Sequence, residues 1–434
     1  AMATASPLLL DITRSVKRAR LGHATGIDRV ERRYLDWALG RPGGAFLLCR
    51  IGGAVHLIAP DRAERVASGL TGIERGEAPP LDIRASLQRW RSRPWRAAEA
   101  LVRRNGRASI APSRLGGALA AQLPSGTAAL NVGHDHLVAG LAGALRRGGA
   151  KSLTMLHDLI PLTHPEFARP GSDAPFRARL EAALEADHIL YNSAATADAV
   201  ASHLARCGRT PPSGTVLPLG LDPQHAPQRA ARLGPAQFVV LGTIEGRKNH
   251  LLLLSIWRRF WERLGAAGSP HLHVVGRRGW AAEQALALLD RAPMMGHTVF
   301  EHSARDDAAV TDLLARADAL LFPSLAEGYG LPLGEALALG VPVIASDLPA
   351  LRELGQGVPD YLDPLDGTGW LAAIEDYAEQ PPSPRRLAQA KRLAVWQRPC
   401  WAAHFAALED LVGGAAEQPV RAAGRSPRPR VRCG

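Results

Sequence analysis

The run from Ala319 to Asp347, ALLFPSLAEGYGLPLGEALALGVPVIASD, limits what this chain can fold into more than any other stretch. An apolar strand, Ala319 to Phe322, enters a turn rich in Pro and Gly. A helix is expected from near Leu333 to Gly340, and a second apolar strand over Val341 to Ala345. Strand, loop, helix and strand make one unit of an open parallel sheet, and such sheets bind ligands in the crevice beyond their strand ends. Two acids, Glu327 and Glu335, bracket the loop. Gly328 and Gly330 leave its backbone bare beside a helix N-terminus, where amide groups and the helix dipole attract phosphate.

These residue types suit a sugar nucleotide. Free amides from Gly328 through Tyr329 and Gly330 to Leu331 can hold a diphosphate, and glycine lets the backbone come close to it. A carboxylate only accepts hydrogen bonds, so it fits the vicinal hydroxyls of a sugar or a ribose. Glu327, in the loop, is expected to face the sugar, and Glu335, in the first helical turn, the ribose. Taken singly, each acid has a blander reading: Glu335 complements its helix dipole, and Glu327 is a solvated loop acid. Their spacing around Gly-Tyr-Gly-Leu-Pro favours a site.

Arg247 and Lys248 follow an apolar strand, Phe238 to Leu241, and a short loop beginning at Gly242. They are expected to project two cations into the cleft, opposite the amides of Gly328 to Leu331. Negative charge builds on a diphosphate as it departs, and fixed cations there favour the transition state over the ground state. The rival reading is two solvated basic residues in a turn. His157 ends another apolar strand and either reaches the reacting centre or is satisfied by backbone. Asp158 orients His157 or caps the following turn. Gly26 lets the first half's backbone approach the ligand or simply starts a helix. His134 lines the acceptor side or is a polar loop residue. No Asp-x-Asp, HExxH or P-loop occurs, so neither a metal ion nor a cofactor is expected.

The two acids and the glycines between them resemble the E-x7-E signature of retaining glycosyltransferases of the GT4 type, which adopt the GT-B fold. LGTIEGRKNH, Leu241 to His250, resembles the strand-loop motif that opens the family's donor domain. HDLIP, His157 to Pro161, resembles its acceptor-domain His-Asp motif. TGIDRV, Thr25 to Val30, resembles the N-terminal glycine loop of a bacterial polysaccharide subset that includes O-antigen mannosyltransferases. The order and spacing of these matches cover most of the chain, though Thr243 stands where several members place an arginine. The resemblance implies an α/β architecture of two Rossmann-like, doubly wound domains facing across a cleft. It implies transfer of a hexosyl unit with retention, by same-face attack in which the leaving phosphate helps take the acceptor proton. His157, Arg247, Lys248 and Glu327 would carry catalysis. Gly26, Thr243, Arg247, Lys248, Gly328 to Leu331 and Glu335 would hold the donor, with Asp158 and His134 on the acceptor side. GDP-mannose is the first expectation for the donor, with a saccharide or polyprenyl-linked saccharide as acceptor. Another nucleotide sugar, linked to UDP or dTDP, and a non-catalytic nucleotide-sugar-binding regulator are the alternatives.

Strands and helices alternate through both halves, as a doubly wound sheet in each requires. The expected division is an acceptor-side domain over 1–225 and a donor domain over 226–385. Closing helices over 386–412 cross back to the first domain, and a basic tail over 413–434 is too poor in apolar residues to fold alone. With 434 residues, 46% of them hydrophobic, the chain is long enough for two cores. No apolar run reaches spanning length, which argues against an integral membrane protein. The four cysteines, Cys49, Cys207, Cys400 and Cys433, lie far apart. They suggest neither a zinc site nor a disulfide framework, and a reducing cytoplasm fits them.

The net charge of +11 is concentrated in two segments. Arg84 to Arg107 carries eight arginines against one glutamate, and 413–434 carries five against one. The first segment also holds Trp90 and Trp95. Basic residues with interleaved Trp fit peripheral contact with an anionic membrane, single-stranded nucleic acid, or a solvated helical face. A nucleic-acid partner is disfavoured because the surplus is confined to these segments rather than lining the main cleft.

Overall fold

The computed structural model describes residues 6–19, 26–77, 79–88, 90–106, 108–110, 114–133, 137, 139–223, 234–303 and 307–413. Fourteen strands occur among them. Those of the first half are β1 (Leu8–Asp11), β2 (Phe46–Ile51), β3 (Ala54–Ile58), β4 (Ala108–Ile110), β5 (Ala128–Asn131), β6 (Lys151–Leu156), β7 (His188–Tyr191) and β8 (Gly214–Val216). The second half holds β9 (Gln237–Leu241), β10 (His271–Val275), β11 (Val299–His302), β12 (Ala319–Phe322), β13 (Val343–Ser346) and β14 (Asp360–Leu362).

The first sheet runs in the order β4-β3-β2-β1-β5-β6-β7-β8, and the second β11-β10-β9-β12-β13-β14. All pairs in the second sheet are parallel. In the first, only β2–β3 and β3–β4 are antiparallel. The β2–β3 pair is the hairpin expected across Gly52-Gly53. In each sheet the chain starts near the middle, winds to one edge and returns to wind the other way. The order therefore reverses between β1 and β5, and again between β9 and β12. At such reversals the loops after neighbouring strands diverge and leave a crevice. The expected architecture of two doubly wound domains is the one observed.

Alternation along the buried strands splits their side chains between layers. Phe238 and Val240 pack with Trp257, Phe260 and Trp370. Val239 points the other way, into the layer of Leu320, Phe322, Leu333 and Ala336. Turn chemistry moves two expected boundaries. The helix after the diagnostic loop spans Leu331–Ala338, two residues earlier than expected, because Gly330 at φ +98° caps it and Pro332 fits its first turn. Gly340 at φ +74° ends it, with Val341 N donating to Ala336 O at 2.9 Å and Gly340 N to Leu337 O at 3.0 Å. That closing motif uses Val341, so the strand begins at Val343.

The helix Pro384–Leu393 belongs to the second sheet's layer. Gln389 exchanges hydrogen bonds with both backbone groups of Val343 (2.6 and 2.8 Å), and Arg386 pairs with Asp318 at 2.8 Å. The expected boundary at 385/386 falls inside this helix. The helix Trp401–Val412 crosses back to the first domain. Its Phe405 stacks on Trp37 with centroids 4.9 Å apart, Glu409 takes both nitrogens of Arg41 at 2.7 Å, and His404 meets the Tyr34 hydroxyl at 2.8 Å. Cys49 and Cys207 are free thiols.

Candidate functional site

The second domain contributes two loops that are stitched together. After β9, Gly242 takes φ +141°, and a side chain there would crowd the Lys248 methylenes at 3.2 Å. A single turn, Gly246–Lys248, then leads through Asn249 at φ +56° into the helix His250–Gly268. Leu325 N donates to Arg247 O at 2.7 Å, tying this turn to the loop after β12.

Across that tie the side chains form a four-membered ion cluster. Lys248 Nζ lies 2.5 Å from Glu327 Oε1, Arg247 Nη1 lies 3.0 Å from the same oxygen, and Arg247 Nε lies 2.6 Å from Glu245. All four side chains are largely buried. Burial alone would raise the Glu327 carboxyl, but Lys248 and Arg247 outweigh it and hold it down to about 2. Burial lowers Lys248, against the pull of Glu327. Both cations thus grip Glu327, the acid that directly precedes the amides of Gly328 to Leu331.

The same loop meets the first domain directly. A side chain on Gly328 would lie 2.2 Å from the His157 carbonyl oxygen and 2.9 Å from Asp158 Cβ. The Gly328 carbonyl accepts from Ser193 Oγ at 2.8 Å. Ser193 also caps the helix Ala194–Arg206, as expected from sequence. Glu353 of the second domain accepts from Ala194 N at 2.8 Å. Gly328 therefore leaves room for a close approach between domains, a reason other than a bare backbone for phosphate. Gly330 needs its positive φ, and a side chain there would also strike Leu351 at 2.5 Å. Tyr329 was expected to serve the donor through its backbone amide, and its side chain is engaged elsewhere. Its hydroxyl donates to the Leu219 carbonyl, and its ring is buried in the connection between domains, leaving only its backbone toward the loop.

Glu335 faces the first domain as well. Its Oε1 lies 2.6 Å from Arg29 Nη1, on the helix Gly26–Leu39. Burial raises the Glu335 carboxyl, partly opposed by Arg29. A side chain on Gly26 would lie 3.3 Å from Leu331 Cδ1. The N-termini of the two helices that begin at Gly26 and Leu331, each the positive end of its dipole, are thus neighbours.

His157 follows β6 and donates from Nε2 to Val132 O at 2.8 Å. Burial pushes its pKa down to about 4, so the ring is neutral near pH 7. The reading of a strand-end histidine bonded to backbone is the one its ring displays. Asp158 Oδ1 accepts from Ile160 N at 3.0 Å, so it caps the turn rather than orienting His157. Thr243 packs against Gly279 in the loop after β9. Thr25 and His134 lie outside the described residues. Among the described residues no group of three His, Cys, Asp or Glu is placed to hold a metal ion.

Three features escaped the sequence reading. Arg29 stood inside the quoted TGIDRV motif without a role, and Glu245 stood beside Arg247 without one. Glu31, fully buried two residues after Arg29, accepts from Ser15 N at 2.8 Å and from Ser15 Oγ at 2.5 Å. Burial pushes its carboxyl up to about 8. A lone acid on a helix carries no sequence signal of burial, whereas the arginine's place in a motif was a signal that could have been used.

Residues 235–380 match the family described as Glycosyl transferases group 1. Among curated proteins, the serotype-specific mannosyltransferase WbdA of Escherichia coli is 29% identical over 251 residues, covering 54% of this chain and 30% of that protein. O-antigen chain mannosyltransferase B of Escherichia coli is 25% identical over 263 residues, covering 57% and 67% respectively. The chain thus spans under a third of the length of WbdA. Among solved structures, sucrose-phosphate synthase from Thermosynechococcus elongatus superposes with a TM-score of 0.59 at 15% identity, over 95% of this chain and all of that one. The lipopolysaccharide outer core galactosyltransferase WaaB gives a TM-score of 0.56 at 14% identity, over 95% of this chain and 100% of that one. These matches bear out the GT-B fold and the resemblance to O-antigen mannosyltransferases that the motifs implied.

Proposed function

We propose that the chain transfers a hexosyl unit from a nucleotide sugar to a saccharide acceptor, with retention at the anomeric carbon and GDP-mannose as donor. The observation that carries this reading is a convergence. The loop of Glu327 to Glu335, the Arg247-Lys248 turn, the His157-Asp158 turn and the Gly26 helix start, distant in sequence, meet at one seam between the domains. A diphosphate in that gap would draw on Lys248 and Arg247, already held in place by Glu327, and on the two helix N-termini. Fixed charges of this kind need little reorganisation as the leaving group gathers charge. Glu327 stays ionised at neutral pH and can accept from sugar hydroxyls. Glu335 would exchange Arg29 for the ribose. The fixed cations and the helix dipoles would carry the phosphate charge. Closure of the seam over the donor would keep water from the glycosidic carbon.

WbdA, O-antigen chain mannosyltransferase B and RfbU are all named mannosyltransferases, which supports mannose over other sugars and a growing surface polysaccharide as acceptor. The test is thermal shift against GDP-, UDP-, dTDP- and ADP-sugars, followed by NMR of the product formed with a mannose oligosaccharide. GDP-mannose should raise the melting temperature most, by mass action, and the product should keep the donor's anomeric configuration. Stabilisation by another sugar nucleotide alone would replace the donor, and an inverted product would discard the same-face route.

A further inference from the structure

We propose that one corner of the first domain docks on an anionic bilayer, with an adjacent basic cavity receiving a lipid phosphate. The corner comprises the helix Ile83–Leu87, Trp90 and the start of the helix Arg93–Asn105. Ile83 is 84% exposed, Leu87 73% and Trp90 78%. Single exposed apolar residues are ordinary, but three large ones within eight positions form a patch. Their exposure is built in. Ala85 is fully buried against the longer helix, Arg96 donates to its carbonyl at 3.2 Å, and Asp82 takes both nitrogens of Arg103 at 2.7 and 2.9 Å. With that side of the short helix fastened down, Ile83 and Leu87, four residues apart, face outward together.

Among the described residues the surplus charge around the patch is positive. Arg84 and Arg93 are exposed, and Arg91 and Arg96 are half-buried. The acids nearby are already engaged: Glu99 is buried with Arg91 at 2.6 Å and Arg103 at 3.4 Å, and Asp82 is held by Arg103. Beside the patch lies a cavity of about 420 Å³ whose lining includes Lys17, Arg50, Arg91, Trp95 and Glu99 beside the apolar Val16 and Ile51. Three cations against one acid, with Arg91 stacked over Trp95 at 4.3 Å, fit a phosphate group. Exposed Ile and Leu separate a bilayer from nucleic acid, which offers stacking surfaces for Trp but no apolar phase.

The corner also faces a useful way. Lys17 follows β1 and Arg50 ends β2, at the same sheet edge where His157 follows β6. Between β2 and β6 lie three strand spacings, about 14 Å. A docked chain would present the mouth of its cleft to a membrane surface. Vesicle binding is read without turnover, so the proposal stands or falls apart from the donor reading.

The experiment is cosedimentation of the full chain with phosphatidylcholine vesicles, with and without about a third phosphatidylglycerol. Binding is expected to the anionic vesicles only, and to weaken as salt rises. The triple change Ile83→Ser, Leu87→Ser, Trp90→Ser should lower partitioning at least tenfold with an unchanged melting curve, and Arg50→Ser should lower it severalfold. A fluorophore on Leu87→Cys should shift to the blue on the anionic vesicles. Equal binding to neutral vesicles, unaltered binding of the triple variant, loss of binding on deletion of 414–434 alone, or release by random oligonucleotide at physiological salt would each overturn the proposal.

Discussion

Glu327 and Glu335 belong to one loop-and-helix unit, yet the molecule treats them in opposite ways. Glu327 is held from within its own domain by Lys248 and Arg247, and the pair of cations drives its carboxyl below the usual range. Glu335 is held across the seam by Arg29, whose side chain is 40% exposed, and burial lifts its carboxyl instead. An acid held by its own domain keeps its geometry whether the domains open or close. One held by the opposite domain changes partner when they move. The first therefore suits a fixed electrostatic frame, and the second a contact that forms and breaks in each cycle.

The largest effect should come from breaking the fixed frame. Glu327→Gln leaves Lys248 buried without its counter-charge and Arg247 with Glu245 alone, which costs about 3–5 kcal/mol of stability. Turnover should fall on the order of a thousandfold as the cations lose their positions. Lys248→Ala should depress turnover similarly. Glu335→Gln should leave stability within about 1 kcal/mol, since water can replace its exposed partner, and act mainly on donor affinity. Urea unfolding beside steady-state kinetics separates the two. Equal stability losses for Glu327→Gln and Glu335→Gln would erase the contrast.

Acid should divide the two carboxylates next. Glu327's folded value, about 2, lies below its ordinary 4.5. Its contribution is present above about pH 4.5 and disappears as pH falls through 2. Glu335 is shifted upward, so its contribution is present below 4.5 and lost as pH rises through its folded value. Two histidines act earlier. His157 and His404 are both pushed down to about 4 by burial. Their stabilisation is complete above pH 6.5 and lost between 6.5 and 4, up to about 3 kcal/mol each. His404 donates to Pro218 O at 2.8 Å and takes the Tyr34 proton on its other nitrogen. Protonation would turn that nitrogen into a donor, leave the Tyr34 hydroxyl hydrogen without this acceptor and loosen the crossing helix. Melting temperature should therefore decline from pH 6.5 to 4, and His404→Gln should flatten the decline. Carboxyl chemical shifts should titrate below pH 4.5 for Glu327 and above it for Glu335.

Much of this was readable beforehand because it is local. Strands such as β9 and β12 are buried on both faces, and their apolar runs stand out plainly. Ser193 and Gly340 announce helix ends by chemistry that acts within a few residues. What sequence left out was held by distant partners. Glu335 and Arg29 are separated by about three hundred positions, and no periodicity of the kind that links neighbours on a helix joins them. Gly328 looked like a bare backbone for phosphate, and only the fold brings the His157 carbonyl against it. Tyr329, beside two functional-looking glycines, turned out to serve the connector at Leu219. The arginine-rich segment was visible as composition, but the outward face of Ile83 and Leu87 depended on Ala85 being fastened behind them.

The smallest expected change tests the exchangeable contact most directly. If Arg29 only occupies Glu335 until a ribose arrives, binding must first break that pair, and the cost appears as weakened affinity. A pair with one partner this exposed contributes up to about 1 kcal/mol, or roughly fivefold in a binding constant. Arg29→Ala should then tighten nucleoside diphosphate binding by up to about fivefold in calorimetry, while Glu335→Ala weakens it. In the double variant the Arg29 change should have no further effect, because the group it competes for is gone. Weaker binding in Arg29→Ala alone would mean that the arginine itself touches the ligand, and that the second acid belongs to a fixed frame like the first.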